Sequence, residues 1–431
     1  MKPDFIEELR WRGMLHDLMP GTDELLKKER VVGYIGFDPT ADSLHVGNLA
    51  QIMLLLHFQR AGNKPIVLVG GATGMIGDPS GKKEERKLLS PEQIQNNAIC
   101  IENQLRKFLD FSGQDNAELV NNYDWYEKIN TITFYRDIGK YLTVNYLLSK
   151  GFIKDRLGTG QEISFTEFNY ILMQAYDFLY LYENKDCKLQ MGGSDQWGNM
   201  TAGAELIRKK IRGEAYALTT NLITKADGGK FGKTEQGNVW LDAKKTSPYR
   251  FYQFWLNVSD EDALRFIRIF TLFDKQTIAM LEEEHKAAPH LRSLQKTLAK
   301  NITIRVHSER DYEAALESSE ILFGKGTKDS LLKLSDEDIN TIFEGVPQIS
   351  VPQSTIANEI PAIEFLTATT ANQIFSSRGE VKRTIESGSL LLNKEKVGDS
   401  NISIGNSNLI NGKYMLIQKG KKNYYLIRVT D

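Results

Sequence analysis

The sequence predicts an α/β fold built on a parallel sheet. Two apolar runs of strand length, Val31–Ile35 and Ile66–Val69, flank an apolar helix that starts near Ser43 and runs through Phe58. Strand, helix and strand within about forty residues make a βαβ unit with a right-handed crossover. Glycines end both runs, at Gly36 and at Gly70-Gly71. Ligands in such sheets sit beyond the carboxyl ends of the strands, so the loops Gly36–His45 and Gly70–Gly81 should share one site.

Composition sets the bounds. The chain has 431 residues, 41% hydrophobic and 26% charged, which suits an ordinary globular protein of two or three domains. A net charge of −2 excludes a globally basic nucleic-acid binder and leaves room for a local basic patch. No apolar run approaches membrane-spanning length, and Met1–Phe5 is no apolar signal region, so no membrane partner and a cytoplasmic location are expected. The two cysteines, Cys100 and Cys187, form no CxxC pair, so neither a disulfide framework nor a zinc ribbon is expected. His285 and His290, five apart in a charged helix, read as solvated, and no metal site is expected.

Residues 3 to 30 read as a helix, a turn at Pro20-Gly21 and a second helix through Lys28. After the first strand, Asp38-Pro39-Thr40 makes a turn, and Ser43 is a good N-cap for the following helix. His45 then falls in the first helical turn, where free N–H groups and the helix dipole suit a phosphate. It reads equally as one more polar first-turn residue.

The loop Gly70–Lys83 fails the Walker A test: only three residues separate Gly77 and Gly81, and Lys83 stands where Ser or Thr should be. GxGxxG is absent as well. The loop carries Asp78, Lys82, Lys83, Arg86 and Lys87, which fit a basic lid or simply a solvated connection. Helical patterns follow over Pro91–Phe111 and Phe134–Leu148, then a loop over Lys154–Gly160.

The helix from about Ser164 to Tyr182 separates by angle. Ile171, Leu172, Ala175, Phe178 and Leu179 share one face, and Tyr170, Gln174 and Asp177 the opposite one. A solvent face usually carries Lys and Glu, so this second stripe reads as a small polar pocket. Leu189–Asn199 is a strand ending in glycines with polar residues at the next helix start, where Ser194 or Asp195 could also merely cap. Lys225–Thr234 is a glycine-rich loop bearing Lys230 and Lys233.

These stretches carry a resemblance. Pro39–Asn48 resembles the HIGH signature of class I aminoacyl-tRNA synthetases, with Asn48 in place of its last histidine. An Asn amide donates as a neutral imidazole does. Lys230–Thr234 resembles the second signature, KMSKS. Tyr34, the Tyr170/Gln174/Asp177 helix and Gly192–Trp197 are similar to the tyrosyl-tRNA synthetases of bacterial type, over essentially the whole chain.

The resemblance implies an α/β architecture: a Rossmann-like parallel-sheet catalytic domain over residues 1–223 and a signature loop over 224–247. It implies a helical anticodon-recognition domain over 248–345, a linker over 346–362 marked by Pro347, Pro352 and Pro361, and a small α+β RNA-binding domain over 363–431. That last segment carries ten Lys and Arg against six Asp and Glu, a net +4 that leaves −6 for the rest of the chain. It is similar to the module shared with ribosomal protein S-four, and Arg378, Lys382, Arg383 and Lys394 would contact RNA. The other reading is a small α/β module with ordinary surface charge.

By the same resemblance, tyrosine and ATP give tyrosyl-adenylate and pyrophosphate, and tRNA takes the tyrosyl group. Thr40, His45, Asn48, Lys82, Arg86, Lys230, Lys233 and Thr234 would serve catalysis. Tyr34 and Asp177 would pair with the phenol, and Asp78, Tyr170 and Gln174 would bind the ammonium, with Gln196 beside the amino acid. Gly36, Asp38, Gly47, Gly193 and Asp195 would join His45, Asn48 and the lysines around ATP. Magnesium would travel with ATP, no prosthetic group is implied, and a homodimer is expected. Competing readings are a tryptophanyl enzyme, a metabolite nucleotidyltransferase and a paralogue that only binds RNA. Tyr34 with Asp177, the RNA-binding tail and the retained His45, Lys230 and Lys233 speak against them in turn.

Overall fold

The computed structural model describes residues 3–80, 88–113, 116–160, 162–229, 231–234, 237–323, 327–343, 346–420 and 423–430. The chain divides into two compact units, 1–246 with 254–307 and 247–253 with 308–431.

The first unit holds the expected α/β sheet. Its strands are β1 (Leu15–Leu18), β2 (Val32–Phe37), β3 (Lys64–Val69), β4 (Glu118–Asn121), β5 (Cys187–Gly193) and β6 (Tyr216–Thr220), in the order β1-β6-β5-β2-β3-β4. All neighbours are parallel except β1, which runs antiparallel to β6. The winding reverses between β2 and β5, and the crevice at their carboxyl ends is where such sheets bind ligands. Tyr34 on β2 stands in register between Ile66 and Gln190.

Burial explains the layers. Helix Val46–Arg60 buries Leu49, Ile52, Met53, Leu54, Leu55 and Phe58, and helix Phe165–Lys185 buries Ile171, Ala175, Phe178 and Leu179. Each of these side chains larger than alanine contributes about 1.5–3 kcal/mol. Helices Asp260–Phe270, Lys275–Ala287 and Ser293–Val306 belong to this unit. A short hairpin, β7 (Lys233–Thr234) with β8 (Gly237–Asn238), also lies in it.

The second unit carries β9 (Gln348–Pro352), β10 (Ile360–Pro361), β11 (Leu390–Leu392), β12 (Glu395–Lys396), β13 (Ser403–Ile404), β14 (Tyr414–Lys419) and β15 (Asn423–Thr430). Five of them form a sheet in the order β12-β11-β14-β15-β9, in which β9 alone is parallel to its neighbour. Helix Arg378–Glu386 packs Val381 and Ile385 into the core with Phe365, Phe375, Met415 and Ile427. No helix among the described residues is long and apolar enough to cross a membrane.

Several local readings change. Between the two N-terminal helices the chain adds edge strand β1 to the sheet. The expected helix over Phe134–Leu148 is broken into three pieces, and Gly151–Gly158 is helical where a loop was expected. The expected linker over 346–362 contains β9, whose Ile349 and Val351 point into the core through the alternation of the strand. The expected helical domain over 248–345 is divided, with 254–307 in the first unit and 248–253 and 308–345 in the second.

Candidate active site

His45 is the N-cap of the helix after β2, a place that sequence reading gave to Ser43. The backbone decides this. His45 is still extended, at φ −123° and ψ 171°, and the helical turn begins at Val46. Its Nδ1 accepts from the Gly47 N–H at 3.0 Å, and Asn48 Oδ1 accepts from the His45 N–H at 3.1 Å. The capping box fixes the tautomer: with Nδ1 accepting, the ring proton sits on Nε2, a donor at a helix N-terminus. A Cβ on Gly47 would lie 2.9 Å from that Nδ1, so only glycine lets the ring fold back.

The lysine loop is tied to this turn, far away in sequence. Val46 N–H donates to Val239 O at 3.0 Å, and Leu241 N–H to Leu44 O at 2.8 Å. Trp240 bridges to His45, their rings 6.1 Å apart and edge-on. Gly232, at φ +75°, packs so closely that a Cβ there would stand 2.6 Å from the Val46 side chain and 3.6 Å from the Gly47 nitrogen. Lys233 follows it on β7. Thr40 and Gly36 are exposed at the end of β2. Lys82, Arg86 and Lys230 lie outside the described residues, as does the side chain of Thr234.

The helix stripe expected from sequence meets the same crevice. Asp177 is 2% exposed and accepts from Asn122 Nδ2 at 3.1 Å and Trp125 Nε1 at 2.9 Å. Burial pushes its carboxyl up to about 7, against the pull of those two bonds. Tyr34 Oη is buried without a hydrogen-bond partner among the described residues, its ring against Phe178 with centroids 5.5 Å apart. Burial, then the charge of Asp177, hold the Tyr34 phenol well above its usual range.

Hydrogen bonds run on from Asp177. Asn122 Nδ2 also reaches Thr73 Oγ1 at 2.9 Å, and its Oδ1 takes the Ala72 N–H at 2.7 Å. Thr73 Oγ1 donates to Asp38 Oδ1 at 2.8 Å, and Tyr170 Oη donates to Asp38 Oδ2 at 2.8 Å. A Cβ on Gly70 would lie 2.0 Å from Asp38 Oδ1, which explains glycine at the end of β3. Asp78 takes the Ser80 N–H at 2.9 Å and Gln196 Nε2 at 2.8 Å. Gln174 joins through Asn199, 2.8 Å away. Gly193 closes β5, and Asp195 sits half-buried in the turn beyond it.

Sequence reading missed Asn122, Trp125, Thr73 and Asn199. A usable signal existed for the first two: Leu119-Val120, after Ala117-Glu118, is a short apolar pair followed by polar Asn121-Asn122, as a strand's carboxyl end would be.

In the second unit, Arg378, Lys382 and Arg383 stand exposed on helix Arg378–Glu386, opposite buried Val381 and Ile385. Lys394 is half-buried with its ammonium 4.7 Å over the Tyr424 ring, and burial lowers it to about 8.

Residues 26–324 match the family model of class I tRNA synthetases (W and Y), and residues 338–427 match the tyrosine–tRNA ligase SYY-like C-terminal domain. The chain is 57% identical to a tyrosine–tRNA ligase of Bacteroides fragilis over 428 residues, 98% of this chain and 99% of that one. It is 56% identical to that of Porphyromonas gingivalis over 430 residues, 99% and 100% of the two chains. A C-terminally truncated mitochondrial tyrosyl-tRNA synthetase of Aspergillus nidulans superposes with a TM-score of 0.67 at 29% identity, covering 74% of this chain and 94% of that one.

Proposed function

The chain belongs to the class I tRNA synthetase family of the tryptophan and tyrosine type and acts as a tyrosine–tRNA ligase, and from that premise we propose how its residues divide the work. The enzyme joins tyrosine to ATP as tyrosyl-adenylate, releases pyrophosphate, and transfers the tyrosyl group to the 3′ end of its tRNA.

Tyr34 and Asp177 hold the phenol of tyrosine. What carries this reading is the Tyr34 hydroxyl, buried without a partner, beside the carboxylate of Asp177. The substrate phenol donates to Asp177 and accepts from Tyr34, so both buried groups gain a partner. Phenylalanine would leave the Tyr34 hydroxyl unpaired and give Asp177 nothing beyond its bonds from Asn122 and Trp125. Sites built on a substrate hydroxyl, of which this enzyme class is the standard example, reject the analogue lacking it by about 10⁴–10⁵.

Asp78, Tyr170 and Gln174 take the ammonium, which is donor-only and needs acceptors. Tyr170 spends its proton on Asp38, which leaves its oxygen lone pairs to accept. Gln196 stands beside the amino acid.

The tyrosine carboxylate is ionised at neutral pH and attacks the α-phosphorus with no general base. Its new P–O bond forms as the bond to pyrophosphate breaks. Catalysis is therefore positioning and charge stabilisation. The His45 Nε2 proton, the Thr40 hydroxyl and the Asn48 amide donate to phosphate oxygens. Lys233 and Thr234, with Lys230, Lys82 and Arg86, hold the leaving pyrophosphate. Gly36, Asp38, Gly47, Gly193 and Asp195 shape the nucleotide site. Mg²⁺ arrives on the nucleotide phosphates, its usual mode, and the chemistry needs no prosthetic group.

The helices between 248 and 345 recognise the anticodon, and Arg378, Lys382, Arg383 and Lys394 hold tRNA phosphates from the 363–431 segment. The enzyme works in the cytoplasm as a homodimer. Support for the dimer is apolar exposure: Ile132, Tyr135, Val144, Leu148, Leu157 and Phe165 are 37–75% exposed within one stretch of chain.

The test is ATP–pyrophosphate exchange without tRNA, with tyrosine, phenylalanine and tryptophan in turn. Exchange with tyrosine alone, lost in Asp177→Ala, supports these assignments. Undiminished exchange in that variant overturns the phenol site.

A further inference from the structure

We propose that Asn199 is the positioning residue of the ammonium end of the tyrosine site, passing the polarity of Asp78 to Gln174 through hydrogen-bonded amides. The proposal rests on the assignment of Asp78, Tyr170 and Gln174 to the ammonium.

The direction of every amide in the network follows from carboxylates at its head, Asp78 at 2.8 Å and, more weakly, Asp195 at 3.4 Å. Asp78 Oδ2 accepts, so Gln196 turns its NH₂ group toward it, at 2.8 Å. The other end of Gln196, its carbonyl oxygen, then faces Asn199, 3.2 Å from Nδ2. Asn199 must therefore present its NH₂ group. That same group donates to Gln174 Oε1 at 2.8 Å and to Ser80 Oγ at 3.2 Å.

Gln174 is thereby held with its carbonyl oxygen as the acceptor. An sp² oxygen has a second lone pair, and that lone pair is what a donor-only ammonium requires. Gln174 Nε2 also donates to Gln196 Oε1, at a longer 3.4 Å, so without Asn199 that weaker contact alone would keep Gln174 from turning its NH₂ group toward the ammonium, where donor repels donor.

Asn199 is placed to act this way and for little else. It sits in the first turn of helix Trp197–Ile211 and is 1% exposed. Its own Oδ1 is buried without a hydrogen-bond partner among the described residues. A side chain kept for packing alone would not leave a buried carbonyl oxygen unpaired. The donors of Asn199 are used fully, and its acceptor not at all.

The test compares dissociation constants of the full-length enzyme for L-tyrosine and for 3-(4-hydroxyphenyl)propanoate, which lacks only the ammonium. Asn199→Ala is expected to weaken L-tyrosine about tenfold and the analogue less than about twofold, the scale of one hydrogen bond to a charged group. Gln174→Ala is measured alongside. If Gln174→Ala weakens tyrosine selectively and Asn199→Ala does not, the role of Asn199 is overturned while the ammonium assignment stands. If Gln174→Ala weakens both ligands equally, the assignment itself falls. Should Asn199→Ala fail to fold, Asn199→Ser leaves a polar side chain too short to reach Gln174 Oε1 as the amide does. A selective loss of about threefold or more there supports the proposal, and unchanged selectivity overturns it.

Discussion

Asn122 Nδ2 stands 3.1 Å from Asp177 Oδ2 and 2.9 Å from Thr73 Oγ1, so a single amide joins the buried carboxylate to the hydroxyl that steadies Asp38. Asn122→Ala removes a hydrogen bond to a charged, fully buried acceptor, worth about 1.5–3 kcal/mol. The KM for tyrosine in pyrophosphate exchange should rise about 10- to 100-fold, with kcat changed far less. An equal fall in kcat and kcat/KM would show that Asn122 serves the transition state instead.

Tyrosine binding should depend on pH through Asp177. Its carboxyl is raised from 3.8 to about 7, chiefly by burial, with the charge of Asp38 adding to it and Asn122, Trp125 and Tyr126 opposing it. The phenol donates best to the ionised form, so affinity should fall as pH drops through 7, and Asp177→Asn should flatten the profile. Stability runs the other way. The folded state binds more protons than the unfolded one between about 4 and 7, so this group's contribution is full below about 4 and lost as pH rises through about 7. Binding and thermal midpoints measured from pH 5 to 9 test both signs. Asn122→Ala, by removing a bond that favours the charge, should move the binding midpoint to higher pH.

The legibility of this site in the sequence was uneven for physical reasons. Tyr170, Gln174 and Asp177 stood out because helical periodicity puts them on one face, and Tyr34 because it lies in an apolar strand. Asn122, Trp125, Thr73 and Asn199 owe their role to contacts across 25 to 55 residues and more, which no local period encodes. Leu15–Leu18 is too short to show alternation, and it becomes a strand because the edge of β6 accepts it. In Gln348–Pro352 the flanking prolines hid a strand. It is an edge strand, and its alternating burial keeps Ile349 and Val351 inward.

Arg12 should matter for stability and not for chemistry. Its guanidinium is 2% exposed and donates to the carbonyl oxygens of Arg268, Thr271 and Phe273, at 2.5, 2.9 and 2.5 Å, and to Glu8 at 2.8 Å. These carbonyls close helix Asp260–Phe270, where a cation also meets the favourable end of the dipole. Arg12→Ala strands three carbonyls and leaves Glu8 with Trp11 Nε1, 2.9 Å away, at a cost of about 3–5 kcal/mol. Arg12→Lys, a point charge in place of a fork, should recover only part of it. A clear drop in thermal midpoint with exchange kcat unchanged at 25 °C is the expected result. A fall in kcat in the folded variant would give Arg12 a role in the site.

Gly232→Ala should separate the lysine loop from the helix N-terminus while sparing the amino-acid pocket. The residue is at φ +75°, where an L side chain is strained, and its Cβ would stand 2.6 Å from Val46 Cγ2. Val46 cannot yield, because it is fully buried at the start of its helix and its N–H is held by Val239 O at 3.0 Å. The loop must move instead, and Lys233 moves with it. Interactions made to the leaving pyrophosphate stabilise the transition state more than bound tyrosine, so their loss lowers kcat. We expect kcat for exchange to fall about 10- to 100-fold, the range for removing one well-placed charged contact, with the KM for tyrosine within about twofold. A rise in that KM with kcat intact would mean that the loop closes over the amino acid and not over the phosphates.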